Sequence, residues 1–381
     1  MDKNYNKRPL KSVATFRSGK FTFSTRFDLS TVLPPLIESR TLSDIINSIP
    51  LSNKLKRRFN QSELTSRAIF NTASINGNPL SRDRIETLIN MRKTAKPRTR
   101  IREIEILNLK EAFEFAFSDV PAELTEDTIK EIHRILTKGL DDKLHYPGRY
   151  NTPPPSPAYL KHSTVFSAPR ILSDIKLLMN EFAAWISQPE TKELGPEIRA
   201  ALAHYHLVLI QPFATSNCKT AMIVESMLLK NAGIKYVPEL ISSYYINNYD
   251  AYRSKIEEPE VRMDHDLSGL LEFVLKGHEK TLSKVLETIT RSFAVLVLED
   301  NYESLREEKR ITEGQLELLK VMLANPGTVT LKKLIREEPY RMLYRYQSER
   351  TARRDLKRLT ELKLITASKD KNFELNLVAR D

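Results

Sequence analysis

The residues of this chain best suited to chemistry lie in one segment, residues 200–233, AALAHYHLVLIQPFATSNCKTAMIVESMLLKNAG. An apolar run reads as a helix and stops at Gln211-Pro212-Phe213. A polar loop follows, and a second helix starts near Asn217. A loop that feeds a helix N-terminus presents unbonded N–H groups at the positive end of the helix dipole, so the expected chemistry is anion binding. Thr215, Ser216 and Asn217 read as turn and capping residues of that loop. Cys218 stands near the helix start beside Lys219, neighbours that lower a thiol pKa, though a lone cysteine more often acts as a small buried hydrophobe. His204 shares a helical face with Gln211 seven residues on, about 10 Å away along the axis. That is too far for direct proton transfer, so helix packing is its expected role.

The elements that must position this segment are mainly helical. The chain has 381 residues, ten glycines, one cysteine, one tryptophan and a net charge of +11. The helix formers Leu, Glu, Lys, Arg and Ala are plentiful. One cysteine excludes a disulfide framework and a Cys-rich zinc site, and the seven histidines show no HExxH spacing, so no metal site is expected. No apolar run reaches the roughly 18 residues that a membrane span needs. The N-terminus lacks an apolar signal core, so a soluble cytoplasmic protein is expected. Pro34-Pro35 is read as breaking any helix within residues 1–50. Helices are expected on either side of an Asn76–Pro79 turn, over residues 102–118, and from Thr125 as N-cap. Six prolines within residues 146–169 mark a long extended loop. Three regions are expected: residues 1–95, a helical core over 96–300, and a small domain over 311–381.

The charge is uneven. Residues 1–60 carry 12 basic and 4 acidic groups, residues 301–381 carry 18 and 13, and the remainder 30 and 32. The C-terminal excess falls on a patterned stretch. Helices over 311–323, 330–335 and 348–362 precede an alternating segment that reads as a two-stranded hairpin, which together make a winged helix-turn-helix. Ser348–Ile365 resembles the recognition helix of DeoR-type winged-helix regulators. Ala352, Leu356 and Leu359 pack inward, while Arg350, Thr351, Arg353, Arg354, Lys357 and Arg358 remain for a DNA groove, with Lys369 and Lys371 at the wing tip.

The central segment resembles the Fic family, which transfers nucleotide-derived phosphoryl groups to protein hydroxyls. The family motif reads His-Pro-Phe-x-Asp/Glu-Gly-Asn-Gly-Arg-x-x-Arg, and the matching run here is Gln211 to Met222. Ala203-His204-Tyr205, Glu103–Asn108, His133–Leu136, Pro147–Tyr150, Pro153–Pro155, Trp185 and Leu228–Gly233 look like the family as well. So does Thr72–Asn78, which resembles its inhibitory motif Ser-x-x-Ile-Glu-Gly-Asn through Ser74, Asn76, Gly77 and Asn78. The resemblance implies a Fic-fold helical core with a small flap hairpin in the proline-rich stretch, where a peptide partner would add as a strand. Asn108 and Asn248 occupy family-like positions, with structural hydrogen bonding as their expected role.

The resemblance also implies what the loop has lost. Gln211 takes the place of the proton-accepting His and cannot accept a proton near neutral pH. Thr215 replaces the carboxylate that holds Mg²⁺. Ser216 and Cys218 add Cβ atoms at the two glycine positions, costing about 1 kcal/mol wherever φ is positive. Lys219 keeps the charge of the first Arg without its fork, and Met222 removes the second. Asn76 and Met222 together delete both halves of the family's inhibitory ion pair. The expectation is a catalytically degenerate Fic protein, a pseudoenzyme with no cofactor, acting as a DNA-binding, transcription-regulatory protein with residual ligand or peptide recognition. The alternative is an active adenylyltransferase or related phosphoryl transferase that uses unconventional residues with ATP and Mg²⁺. The operator, the partner and a homodimer are left open.

Overall fold

The computed structural model describes residues 10–51, 61–75, 77–90, 101–118, 123–140, 145–151, 169, 171–262, 264–368, 370 and 372–376. The chain divides into two units, Met1–Leu286 and Glu287–Asp381.

The first unit opens with a hairpin of β1 (Lys11–Ala14) and β2 (Lys20–Phe23), paired antiparallel with Lys11 opposite Phe23. Asp174 fixes its turn by accepting the N–H groups of Phe16, Arg17 and Ser18 and the Ser18 hydroxyl. The end of β2 is tied to the core, where the Ser24 N–H donates to His206 Nε2 at 3.1 Å. Helix α1 (Leu29–Ser48) follows and contains Pro34 and Pro35, against the expectation that they would break any helix there. Asp28 caps α1 by accepting from the Ser30 N–H, and Val32, Pro35, Leu36, Leu42 and Ile46 are buried along one stripe. Burial of that stripe and the cap outweigh the missing proline N–H groups.

Helices α2 (Gln61–Ile75) and α3 (Arg82–Asn90) flank the turn at Gly77, whose φ of +77° ends α2 in the left-handed conformation. Then come α4 (Ile101–Ala116), α5 (Glu126–Thr137), α6 (Leu172–Ile186), the short α7 (Pro189–Lys192), α8 (Pro196–Ile210), α9 (Asn217–Asn231), α10 (Val237–Asn247), α11 (Tyr249–Arg262) and α12 (Ser268–Glu307). Thr125 caps α5 as expected, its hydroxyl accepting from the Thr128 N–H. The centre is the pair α8–α9. Every residue from Ala200 to Ile210 is buried, as is every residue from Thr220 to Leu229. Helices buried all round cannot be surface elements, and α4, α5, α6 and α10 cover them. The single tryptophan, Trp185, is buried here, stacked on Phe23 at 5.2 Å and edge-on to His206 at 4.6 Å.

The second unit has its own core, drawn from Leu298, Tyr302 and Leu305 at the end of α12 together with Leu316, Leu319, Leu334, Leu356, Leu359 and Ile365. Its helices are α13 (Glu313–Ala324), α14 (Leu331–Arg336), α15 (Tyr340–Tyr344) and α16 (Glu349–Glu361), followed by the hairpin β3 (Ile365–Ala367) and β4 (Phe373–Leu375). The turn of helix at α15 was not anticipated from the sequence. α13 starts in a capping box between Thr312 and Gln315. The buried Asp355 accepts from Gln315 Nε2 and the Tyr344 hydroxyl, joining three helices.

Candidate functional site

The site forms where α8 stops and α9 begins. Gln211 closes α8 in the left-handed region (φ 49°), and Ser216 opens α9 there too (φ 59°). A side chain in that region costs roughly 1 kcal/mol, so this loop carries two strained positions. Of the two substituted glycine positions, only Ser216 bears the predicted strain, because Cys218 lies inside the helix. Asn217 shapes the loop from within. Its Oδ1 accepts the Phe213 N–H at 2.9 Å and its Nδ2 donates to the Phe213 carbonyl at 2.7 Å. Phe213 is fully buried and stacks face to face on His133 of α5, centroids 3.8 Å apart and rings 4° from parallel.

The first N–H groups of α9 have no acceptor within the helix, and the half-buried Thr215, Ser216, Cys218 and Lys219 line its opening. Lys219 is the cation of this opening, with Nζ 3.6 Å from Glu105 Oε2 of α4. The same oxygen accepts from Asn78 Nδ2 at 3.1 Å, so the inhibitory-motif-like turn and the loop meet on one carboxylate. Ser74 and Gly77 act locally, the Gly77 N–H donating to the Ser74 carbonyl at the end of α2. Asn76 lies outside the described residues, and Met222 is buried in α9.

Residues 145–151 back the loop. The Asn151 N–H donates to the Pro212 carbonyl, the Gly148 N–H donates to His133 Nδ1, and Tyr150 packs against Phe213. Gly148 needs its missing side chain: φ is +68°, and a Cβ would sit 3.0 Å from the Arg134 Cβ. His145 Nδ1 lies 2.6 Å from the Thr215 hydroxyl. The remainder of the proline-rich stretch expected to form the flap, residues 152–168, lies outside the described residues.

The titratable groups divide by burial. Burial pushes His133 down to about 3; the Thr215 backbone opposes this and His145 adds to it. His206 is likewise pushed down to about 3 by burial. Cys218 departs from expectation. Burial pushes its thiol up to about 11, outweighing Lys219 and the Tyr252 hydroxyl, so it is no activated thiolate. His204 takes the packing role expected of it. Its Nδ1–H donates to the buried Glu225, which also accepts from the Tyr245 hydroxyl, and its Nε2 accepts from Tyr252. Asn108 donates to the carbonyls of Leu136 and Lys138, and Asn248 to that of Tyr244, both structural roles. A cavity of about 90 Å³ adjoins Cys218, walled by Ile75, Tyr249, Tyr252, Arg253 and Ile256.

In the second unit α16 exposes Arg350, Arg353, Arg354, Lys357 and Arg358, with Thr351 half-buried. Its charges are mixed: Arg353 pairs with Glu349, while Lys357 and Arg358 both approach Glu361. Lys369 and Lys371 lie outside the described residues.

Residues 123–229 match the Fic/DOC family. Among curated relatives the chain is 25% identical to Protein adenylyltransferase Fic of Drosophila grimshawi over 279 residues, 71% of this chain and 53% of the relative. It is 26% identical to the protein of the same name from Nematostella vectensis over 246 residues, 64% of this chain and 52% of the relative. The chain thus spans about half the length of the curated relatives it matches. A Fic family protein from Desulfovibrio desulfuricans G20 superposes with a TM-score of 0.53 at 17% identity, covering 92% of this chain and 97% of that one. Fic-1 from C. elegans superposes at 0.52 with 22% identity, covering 69% and 74%. These superpositions show the fold: a mainly helical Fic core with small N- and C-terminal hairpins.

The relatives overturn three expectations. The curated relatives reported above are each named Protein adenylyltransferase Fic, so the reading of the core as a pseudoenzyme that has lost adenylyl transfer does not stand. The expectation of no cofactor, with ATP and Mg²⁺ kept only for the alternative reading, falls with it. The emphasis on DNA binding and transcription regulation also gives way, and the acidic partners along α16 temper the cationic face on which it rested. Among the described residues no helix is long and apolar enough to cross a membrane.

Proposed function

We propose that this chain is a nucleotide-dependent transferase that moves an adenylyl or related phosphoryl group from ATP to a protein hydroxyl. The observation that carries the proposal is the opening of α9. A strained, side-chain-braced loop directs the first N–H groups of a fully packed helix at one point, with Lys219 beside them. Backbone donors and a cation of this kind suit the phosphates of a nucleotide. The names of the curated relatives support the same reaction class.

The loop residues Thr215 to Lys219 contain no carboxylate, and nearby Glu105 is engaged by Lys219 and Asn78. Among the described residues this opening therefore has no built Mg²⁺ site, and any Mg²⁺ enters with the phosphates that bind it. What the chain supplies is phosphate orientation, exclusion of water by the buried Phe213 layer, and charge from Lys219. For the second unit we infer a winged-helix arrangement, supported by the bridge between Val329 and Phe373 that adds a third strand position to the hairpin.

The test is incubation of the full chain with ATP, Mg²⁺ and a protein extract. Nucleotide-induced thermal stabilisation and mass-spectrometric detection of adenylylated acceptors are the readouts. Stabilisation that needs the triphosphate, together with adducts that need the chain, is the expected result. Absence of both would sink the proposal.

A further inference from the structure

The transfer proposed above needs a group to take the proton of the acceptor hydroxyl, and Gln211 cannot do so. We propose that Thr215 and His145 supply it as a two-member proton relay. This rests on the transferase reading and specifies its chemistry.

Three observations converge on the pair. The His145 imidazole reaches the loop from outside it in sequence, with Nδ1 2.6 Å from Thr215 Oγ1, a full hydrogen bond across 70 residues. Thr215 directly precedes Ser216, the N-cap of α9, so its hydroxyl stands at the edge of the anion-binding opening. The segment bearing His145 is pinned to the same structure at two further points, Asn151 N–H to the Pro212 carbonyl and Gly148 N–H to His133 Nδ1. The imidazole is thus held in place relative to the loop, as a group that must meet a reacting proton has to be. Three other histidines fail the same test. His133 is buried and spends Nδ1 on Gly148, while His204 and His206 are bonded within the core. Gln211, at the position where a proton acceptor would be sought from sequence, is buried, and its Nε2 has no hydrogen-bond partner.

The step balances as follows. With the His145 proton on Nε2, the Thr215 hydroxyl donates to Nδ1. As the acceptor oxygen forms its bond to the α-phosphorus, its proton passes to Thr215 Oγ1 and the Thr215 proton passes to His145 Nδ1. The α–β phosphoanhydride bond breaks, and pyrophosphate departs with the bonding electrons. The imidazolium then returns its proton to solvent, and the cycle closes without an oxidant or reductant.

The test uses the full chain, ATP labelled at the α-phosphate, Mg²⁺ and a protein extract as acceptor. His145→Ala should lower label transfer about 100-fold or more, the usual worth of a positioned acid–base group, while ATP still raises the melting temperature as in the parent. Imidazole added to His145→Ala should restore part of the rate, which a merely structural histidine would not permit. Thr215→Val should show the same loss, and Thr215→Ser should recover most of it. His145→Gln repeats the comparison if the Ala variant is poorly folded. Transfer in His145→Ala and His145→Gln within about threefold of the parent overturns the relay while leaving the transferase reading intact. A parent that neither binds ATP nor transfers label overturns both.

Discussion

Replacing Asn217 by Ala is a direct probe of how the loop holds its shape. Its side chain is the only hydrogen-bond partner found, among the described residues, for both the N–H and the carbonyl of Phe213, at 2.9 and 2.7 Å. Phe213 is fully buried, so water cannot easily replace either bond. Each backbone group left without a partner costs about 1–3 kcal/mol, which places Asn217→Ala at about 2–6 kcal/mol. Asn217→Asp is nearly isosteric and separates the two bonds. It keeps an acceptor for the Phe213 N–H and gains about 0.3–1 kcal/mol from a negative charge at the start of α9. It also sets a second lone pair against the Phe213 carbonyl, so it should recover only part of the loss. Urea unfolding followed by fluorescence of the buried Trp185 reads both variants, since that residue lies in the same unit. An Ala variant within about 0.5 kcal/mol of the parent, the range of an ordinary surface change, would refute the argument.

Other outcomes follow from the geometry. Burial opposes ionisation of Asp174, but the Ser18 hydroxyl and the N–H groups of Phe16, Arg17 and Ser18 outweigh it and lower its pKa. Its contribution is therefore complete above its unfolded pKa of about 3.9 and is lost as pH falls through the lower folded value. Asp174→Asn should flatten the acid limb of the stability–pH curve measured by urea unfolding. With its thiol pushed up to about 11, Cys218 should react with iodoacetamide at neutral pH far more slowly in the folded chain than in urea, as read by intact mass. Glu225→Gln sets an amide NH2 against one of its two donors, the His204 Nδ1–H or the Tyr245 hydroxyl, and should cost about 1.5–3 kcal/mol, while Tyr245→Phe, removing one hydrogen bond, should cost about 1 kcal/mol in the same unfolding assay. In the second unit Asp355→Ala strands Gln315 Nε2 and the Tyr344 hydroxyl and should cost about 2–4 kcal/mol, visible in the same unit's hydrogen exchange.

Local signals carried much of this architecture. The Thr125 cap, the α8–loop–α9 layout and the alternating C-terminal strands each depend on residues close in sequence, and each is where its pattern places it. Pro34 and Pro35 misled because propensity knows nothing of the buried stripe that α1 presents to the core. The thiol of Cys218 misled for a related reason: Lys219 beside it in sequence lowers its pKa, but burial in the folded chain prevails. Glu105 and His145 left no signal at all as site residues. Their meeting with Lys219 and Thr215 spans 114 and 70 positions, and no local pattern encodes such contacts.

The parallel stacking of His133 on Phe213 has a spectroscopic consequence. Protons held over the face of an aromatic ring are shielded, so the His133 ring protons should resonate well upfield of ordinary histidine signals. Because this imidazole stays neutral down to about pH 3, its lines should also stand still while exposed histidines titrate. The loop thereby contains its own magnetic reporter: an upfield, pH-silent pair of resonances that moves only when Phe213 moves.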